Sequence, residues 1–232
     1  IIPFIGAGLS QPLGMPSWRA LLERAYLELD TQNSRLPQSQ FHSLMEQHKY
    51  IEAASILQSH CDNFKEIISN IFAETAAEKS SWEDSDNNYK DLAWGRMFSC
   101  FLTTNYDDCL EYFLRESVHS SNLSDPNLNL QDVFHNKHIR HIIHMHGTYT
   151  DPNSIVLSSE DYTAYYKEDV FKGKFTALGI TKSFLFLGFS LQDKKVRELV
   201  NIFADLFVAD HYIVTSDKNI TKGLSSNIHP IY

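Results

Sequence analysis

With 232 residues, 43% of them apolar and 21% charged, the chain can bury a sizeable core and has the composition of an ordinary globular protein. Its formal net charge of −9, with no Lys/Arg run to offset it, argues against a general nucleic-acid binder; an anionic ligand has to be held by local backbone dipoles. Three scattered cysteines, Cys61, Cys100 and Cys109, exclude a disulfide framework, and no apolar run approaches the length of a membrane span.

The chain opens on Ile1–Ile5, a strand already under way with no initiator Met and no signal-peptide pattern. A fragment of a longer cytoplasmic protein is therefore expected. Gly6-Ala7-Gly8 follows as a glycine turn, and Trp18–Tyr26 has the apolar spacing of a helix with Ser17 as N-cap. From about residue 31 to 90 no strand is expected. Phe41–His48, Tyr50–Gln58 and Asn63–Ala77 read as short amphipathic helices of an inserted helical subdomain, and Trp82–Asn88 reads as a solvated loop.

A second α/β stretch begins at the apolar strand Ser99–Thr103, followed by a helix over Asp107–Arg115. His119–Asn129 is polar and turn-rich. Strands are expected at Ile139–Met145, Ser154–Leu157, Phe184–Leu187 and Tyr212–Val214, and helices at Ser159–Val170 (capped by Ser158 or Ser159) and Lys194–Phe207. Buried strands alternating with helices predict an α/β fold with a Rossmann-like, doubly wound, mainly parallel sheet.

Four strand ends carry candidate chemistry. Glycines directly after a strand, as in Gly6-Ala7-Gly8, let the backbone approach a pyrophosphate, and Ser10 can add a hydroxyl; the same pattern also makes a tight turn, and Gln11 stands where a third fingerprint glycine would be. Trp18 offers a large aromatic face that can stack on a planar group or pack beneath its helix. Thr103-Thr104-Asn105-Tyr106-Asp107 ends a strand, where open α/β sheets place their ligands. Asn105 can orient a hydroxyl or a water, or serve as a turn former, and Asp107 can cap the next helix. His144-Met145-His146-Gly147 closes another strand, with His144 and His146 on one face by alternation. The five histidines His135, His138, His141, His144 and His146 share neither a helix face nor a strand face, so no metal is assigned. Gly188-Phe189-Ser190-Leu191 follows the most apolar strand; Asp193 beyond it is a ligand contact or the cap of the next helix.

Taken in order, these segments resemble the sirtuin (silent information regulator type) superfamily. Gly14-Met15-Pro16-Ser17-Trp18-Arg19 resembles its Gly-Ile-Pro-Asp-Phe-Arg segment, Thr103–Asp107 its Thr-Gln-Asn-Ile-Asp element, His146-Gly147 its His-Gly element, and Gly188–Leu191 its Gly-Thr-Ser-Leu loop. The resemblance runs from Phe4 to about Asp217. It is closest to the sirtuin-like NAD-degrading domains of bacterial antiphage defence systems such as Thoeris. No cysteine lies between His146 and Gly188, so the deacylase zinc ribbon cannot form. Thr148–Tyr166 resembles the strand-and-helix connection of the defence branch.

The resemblance implies one NAD-binding catalytic domain over residues 1–232, hydrolysing NAD to nicotinamide and ADP-ribose as a defence effector. It implies Asn105 and His146 as the catalytic pair, with His146 as general base. The implied substrate contacts are Gly6, Ala7, Gly8, Ser10, Trp18, Arg19, Thr104, Asp107, Gly188, Ser190, Asp193 and, weakly, Ser216. NAD is then a substrate and no metal is required. Control by homo-oligomerisation, or by a regulatory domain or partner outside these residues, is expected, with no nucleic acid or membrane contact. An NAD-dependent protein deacylase and a non-catalytic NAD or ADP-ribose sensor stay open as alternatives.

Overall fold

The computed structural model of the chain describes residues 1–31, 36–93, 97–115, 118–135, 138–167, 169–179, 182–189, 194–205, 209–218 and 223–232. Seven parallel strands form one sheet: β1 (Ile2–Ile5), β2 (Cys100–Thr103), β3 (Val118–Asn122), β4 (Arg140–His144), β5 (Phe184–Leu187), β6 (His211–Val214) and β7 (Ile228–Ile231), in the order β3-β4-β2-β1-β5-β6-β7. Chain connections leave β1 toward β2 on one side and reach β5 on the other, so β1 and β5 flank the topological switch point of a doubly wound sheet.

Alternation along the central strands sends side chains into two cores. Ile5, Phe101 and Ile142 pack under α1 (Trp18–Thr31), α4 (Phe64–Ala76) and α6 (Cys109–Leu114). Phe4, Leu102, Ile143 and Met145 pack against α7 (Leu130–His135), α9 (Asp169–Gly179) and α10 (Lys194–Asp205). Ser17 caps α1 as its position predicts, accepting from the Ala20 N–H at 3.2 Å. The helices α2 (Gln38–Glu46), α3 (Tyr50–Ser59) and α4 follow α1, and their apolar faces join the core beneath Ile5 and Phe101.

The stretch between α4 and β2 differs from the expected solvated loop. Trp82 is buried against Tyr112 and Phe113, Asn87 is buried, and a 3-10 turn (Lys79–Glu83) leads to α5 (Tyr89–Ala93). A lone Trp among acidic and amide residues has no periodicity, yet its area alone is enough to pin the segment down.

The expected strand at Ser154–Leu157 is absent. Residues 155–157 are buried, which explains their apolar run, but their backbone groups find partners other than a ladder. The Val156 N–H donates to the His146 carbonyl (3.0 Å), Tyr106 Oη donates to the Val156 carbonyl (2.7 Å), and Lys65 Nζ donates to the Ile155 carbonyl (2.7 Å). The next helix, α8 (Ser159–Lys167), starts with a reciprocal cap. Ser158 Oγ accepts from the Asp161 N–H, and Asp161 Oδ2 accepts from the Ser158 N–H.

Two edge strands escaped the sequence pattern because an edge needs no apolar alternation. β3 lies in the stretch read as polar and turn-rich, and its residues are partly or fully exposed. β7 carries Pro230, which an edge strand tolerates. No helix among the described residues is long and apolar enough to cross a membrane.

Candidate functional site

The register decides where the motifs meet. Ile5 pairs with Thr103 and Leu187, and Thr103 pairs with His144, so the carboxyl ends of β1, β2, β4 and β5 form one row. The segments that follow, Gly6–Ser10, Thr104–Asp107, Met145–Gly147 and Gly188, therefore emerge along one edge of the sheet.

Gly6, Gly8 and Gly188 seal the junction between the first and last of these segments. The Gly6 N–H donates to the Leu187 carbonyl (2.8 Å) and the Gly8 N–H to the Gly188 carbonyl (2.8 Å). A Cβ on Gly8 would sit 2.7 Å from that carbonyl oxygen, and Gly188 has φ +74. These glycines are thus required by backbone-to-backbone packing, and the Gly8 N–H is already used. After Gly6 the chain makes two 3-10 turns, Ala7–Leu9 and Gln11–Leu13, in place of an α-helix N-terminus.

A pocket of about 390 Å³, counting its open mouth, lies between these turns, α1 and the β2 loop. Its walls are Ala7, Met15, Pro16, Trp18, Leu21, Phe72 and Tyr106, and its polar side is Thr104, Asn105 and Asp107. Trp18 is half-buried, stacked on Tyr50 with ring centroids 6.5 Å apart. Small-molecule sites commonly combine apolar walls with a few converging polar groups in this way.

Asn105 is the most constrained of those groups. Its backbone N–H donates to Thr103 Oγ1 (3.0 Å), its carbonyl faces His144 Nδ1 (3.2 Å), and its Nδ2 donates to Ser10 Oγ (3.0 Å). Its remaining polar atom, Oδ1, is buried and has no hydrogen-bond partner. An acceptor desolvated without a partner costs about 1–3 kcal/mol, and a donor from a bound ligand would recover that.

Ser10 is fully buried and serves Asn105 from behind. Its Oγ lies 2.7 Å from Tyr89 Oη and 3.0 Å from Asn105 Nδ2, and its hydroxyl is one of the groups that pull the Asp107 carboxyl pKa down. Asn105 Nδ2 donates to Ser10, which sets the amide orientation and leaves Oδ1 as the atom without a partner; in the Ser10–Tyr89 bond either hydroxyl can donate. Burial pushes the Asp107 carboxyl above its ordinary range, opposed by bonds from Cys109 and Ser10. Tyr89→Phe removes one buried bond and lowers stability by about 1 kcal/mol; a denaturation midpoint equal to that of the parent would disprove the network.

His146 is buried but is not part of the pocket wall. Its Nε2 lies 2.5 Å from Tyr166 Oη, and Tyr162 and Tyr165 flank the ring. Burial alone drives its pKa down to about 3, so the ring is neutral. His144 goes elsewhere, to Glu111 and the Asn105 carbonyl, so the two histidines serve different partners. Among the other histidines of the expected cluster, His141 stacks on His119 and His135 Nδ1 faces the Gln131 carbonyl.

Of the remaining expected contacts, Arg19 is exposed, paired with Glu23 at 2.8 Å, and not in the pocket wall. Ser216 is exposed beyond β6. Ser190 and Asp193 lie outside the described residues.

The family described as SIR2-like domain matches residues 99–228, more than half of the chain. The chain belongs to the SIR2-like domain family. Curated relatives of this SIR2-like chain include the NAD(+) hydrolase ThsA of Enterococcus faecium, 27% identical over 201 residues, covering 85% of this chain and 38% of that protein. The NAD(+) hydrolase ThsA of Bacillus cereus (strain MSX-D12) is 27% identical over 215 residues, covering 90% and 41%. That of Acinetobacter baumannii (strain 532279) is 27% identical over 203 residues, covering 85% and 38%. The chain thus spans 38 to 41% of the length of these relatives.

Three groups of this SIR2-like site went unread in the sequence. Tyr89 lies just past a stretch read as loop, and Tyr166 lies on a helix with no periodic signal toward His146. Glu111 reaches His144 only through the β4–α6 packing. The one available sign was the pairing of aromatic residues Trp82 and Tyr89 with an otherwise polar stretch.

Proposed function

We propose that this chain hydrolyses NAD to nicotinamide and ADP-ribose. The observation that carries the reading is Asn105 Oδ1: a buried, unpartnered acceptor on a fully tethered residue at the edge of an apolar pocket. The SIR2-like family membership and the names of the three relatives support the choice of substrate.

In this reading the nicotinamide-ribose end of NAD occupies the pocket. The walls of Trp18, Phe72, Met15 and Pro16 suit a flat ring that is cationic before cleavage and neutral after it, so an apolar site favours departure. The bond from the ribose anomeric carbon to the nicotinamide nitrogen breaks, its electron pair leaving with nicotinamide. Water adds to the resulting oxocarbenium carbon and loses a proton. Asn105 Oδ1 accepts from that water or from a ribose hydroxyl and orients it. His146, neutral at any pH above about 3, takes the proton once substrate displaces Tyr166 Oη from its Nε2. The adenosine end runs toward Gly188 and the β6 end that carries Ser216, crossing the switch point.

The same reading includes a role in bacterial antiphage defence, where NAD depletion harms the host unless it is restrained. Restraint comes from self-assembly or from a regulatory domain or partner outside these residues. The sequence resemblance supports this part.

The test is nicotinamide release from NAD by the purified chain, followed by mass at several protein concentrations. Release of nicotinamide with ADP-ribose in equal amounts is expected, without any acylated peptide. Binding of NAD with no release at any concentration would favour the sensor, and turnover only with an acylated peptide the deacylase.

A further inference from the structure

Directly behind Asn105 sits a buried ion pair that the proposed reaction does not itself use. His144 is the last residue of β4 and is 1% exposed. Its Nε2 lies 2.8 Å from Glu111 Oε1 on α6, and its Nδ1 lies 3.2 Å from the Asn105 carbonyl oxygen. With Glu111 ionised, the carboxylate and the carbonyl are both acceptors, so each ring nitrogen donates and the ring is the imidazolium. Glu111 Oε1 is itself held by the Ser120 hydroxyl of β3 at 2.6 Å.

The groups around the ring agree. Glu111 is the carboxylate from α6, and Asp107, in the loop before α6, adds a second negative charge through space. The strand neighbours in register, Thr103 on β2 and Asn122 on β3, bring no titratable side chain. His146, two residues on, is turned to Tyr166 and neutral. Burial pulls the His144 pKa down, but the Glu111 bond and charge outweigh it and hold the ring above the ordinary histidine value. Burial pushes Glu111 up, and the same pair holds it below the ordinary carboxylate value.

Asn105 is thus fixed at three atoms, and the His144 bond is the charge-assisted one. We infer that the His144 imidazolium, held in place by Glu111, is a positioning residue that sets the backbone of Asn105 so that Oδ1 faces the reacting ribose. This rests on the proposed NAD reaction for its kinetic consequence and on the structure alone for the geometry. With the proton lost, Nδ1 and Nε2 can no longer both donate, and one of the two bonds fails. Activity is then carried by the protonated form. It is full at low pH and falls as pH rises through the His144 pKa, above about 6.5.

The experiment pairs kinetics with nitrogen-15 NMR on the parent chain and Glu111→Gln. In the parent at pH 7, both His144 ring nitrogens should be protonated, and kcat for nicotinamide release should fall at high pH with the pKa read from that ring. Glu111→Gln should lower kcat about tenfold at pH 7.5 with KM for NAD within about twofold, and kcat should recover as pH falls below 6, because acid restores the imidazolium. A fold lesion would not be rescued by acid. A neutral His144 in the parent at pH 7, or a Glu111→Gln chain with the parent kcat and alkaline limb, overturns the inference. If Glu111→Gln does not fold, the agreement or disagreement of the two parent titrations decides. If the parent releases no nicotinamide, the NAD reading fails separately. The Asn105 side-chain amide resonance then carries the test: it should shift between parent and Glu111→Gln, and an unmoved signal overturns the positioning role.

Discussion

For the proposed NAD hydrolysis, Asn105→Ala is expected to lower nicotinamide release about 10²–10³-fold, the loss typical of removing one preorganised polar group aimed at a reacting centre. The KM for NAD changes far less, because the pocket walls Trp18, Phe72, Met15 and Pro16 are untouched. Stability falls by only about 1 kcal/mol, since the lost bond to Ser10 leaves that hydroxyl with Tyr89. His146→Ala is expected to lower release by about 10²–10⁴-fold, the contribution of a general base. Burial has already driven His146 down to about 3, so protonation of this ring produces no acid limb between pH 5 and 8. Steady-state kinetics on both variants, with melting curves to confirm folding, measure these effects. Full activity in both would remove the pair from the mechanism.

Gly147→Ala is expected to be the most destabilising single change near the site. Gly147 has φ +82, and an added Cβ would lie 2.1 Å from the Ser154 carbonyl oxygen and 2.4 Å from its carbon. Backbone strain of this kind costs about 1–3 kcal/mol, and the collision with a second backbone segment adds to it, for a total of about 3–5 kcal/mol. The contact cannot relax cheaply. Thr148 donates to Ser154 Oγ at 3.0 Å and Val156 to the His146 carbonyl at 3.0 Å, so residues 154–156 are tied to both sides of the glycine. Chemical denaturation reads the loss, and an unchanged midpoint would show that this loop is not packed as described. Because the same loop fixes the His146 carbonyl, any folded fraction should also show weakened activity.

The central sheet was readable because β1, β2 and β4 are almost wholly buried on both faces, and β5 and β6 keep one buried face. Ile2–Ile5, Cys100–Thr103, Arg140–His144, Phe184–Leu187 and His211–Val214 each lie within a residue or two of the expected run. The same criterion fails in two directions. Residues 155–157 are as apolar as a strand but satisfy their backbone through Tyr106, Lys65 and His146. The exposed edge strands β3 and β7 have no apolar run to see. Burial, not strand formation, is what an apolar run reports.

For the site, residue type and order were sufficient to bring Ala7, Trp18, Thr104, Asn105 and Asp107 to one pocket. They were not sufficient to say what each does there. Ser10 was expected to face a ligand; it is fully buried and bonds Tyr89 and Asn105 in the interior. Gly8 was expected to let the backbone approach a pyrophosphate; its N–H is bonded to the Gly188 carbonyl, and the two glycines pack against each other. His144 and His146, on one face by alternation, part company because the strand ends between them: one ring enters the α6 layer, the other the tyrosines of α8.

The sequence by itself determined the doubly wound sheet and the set of residues at its carboxyl edge, because strand burial and strand-end position are local properties of the chain. Only the tertiary structure decided that Asn105 is tethered at three atoms with a fourth left open, and that His146 is neutral behind Tyr166. Apart from the local bond to Thr103, those outcomes depend on hydrogen-bond partners 20 to 95 residues away. No periodicity in the sequence encodes which distant donor meets which acceptor; that is set when α5, α6 and α8 pack against the sheet.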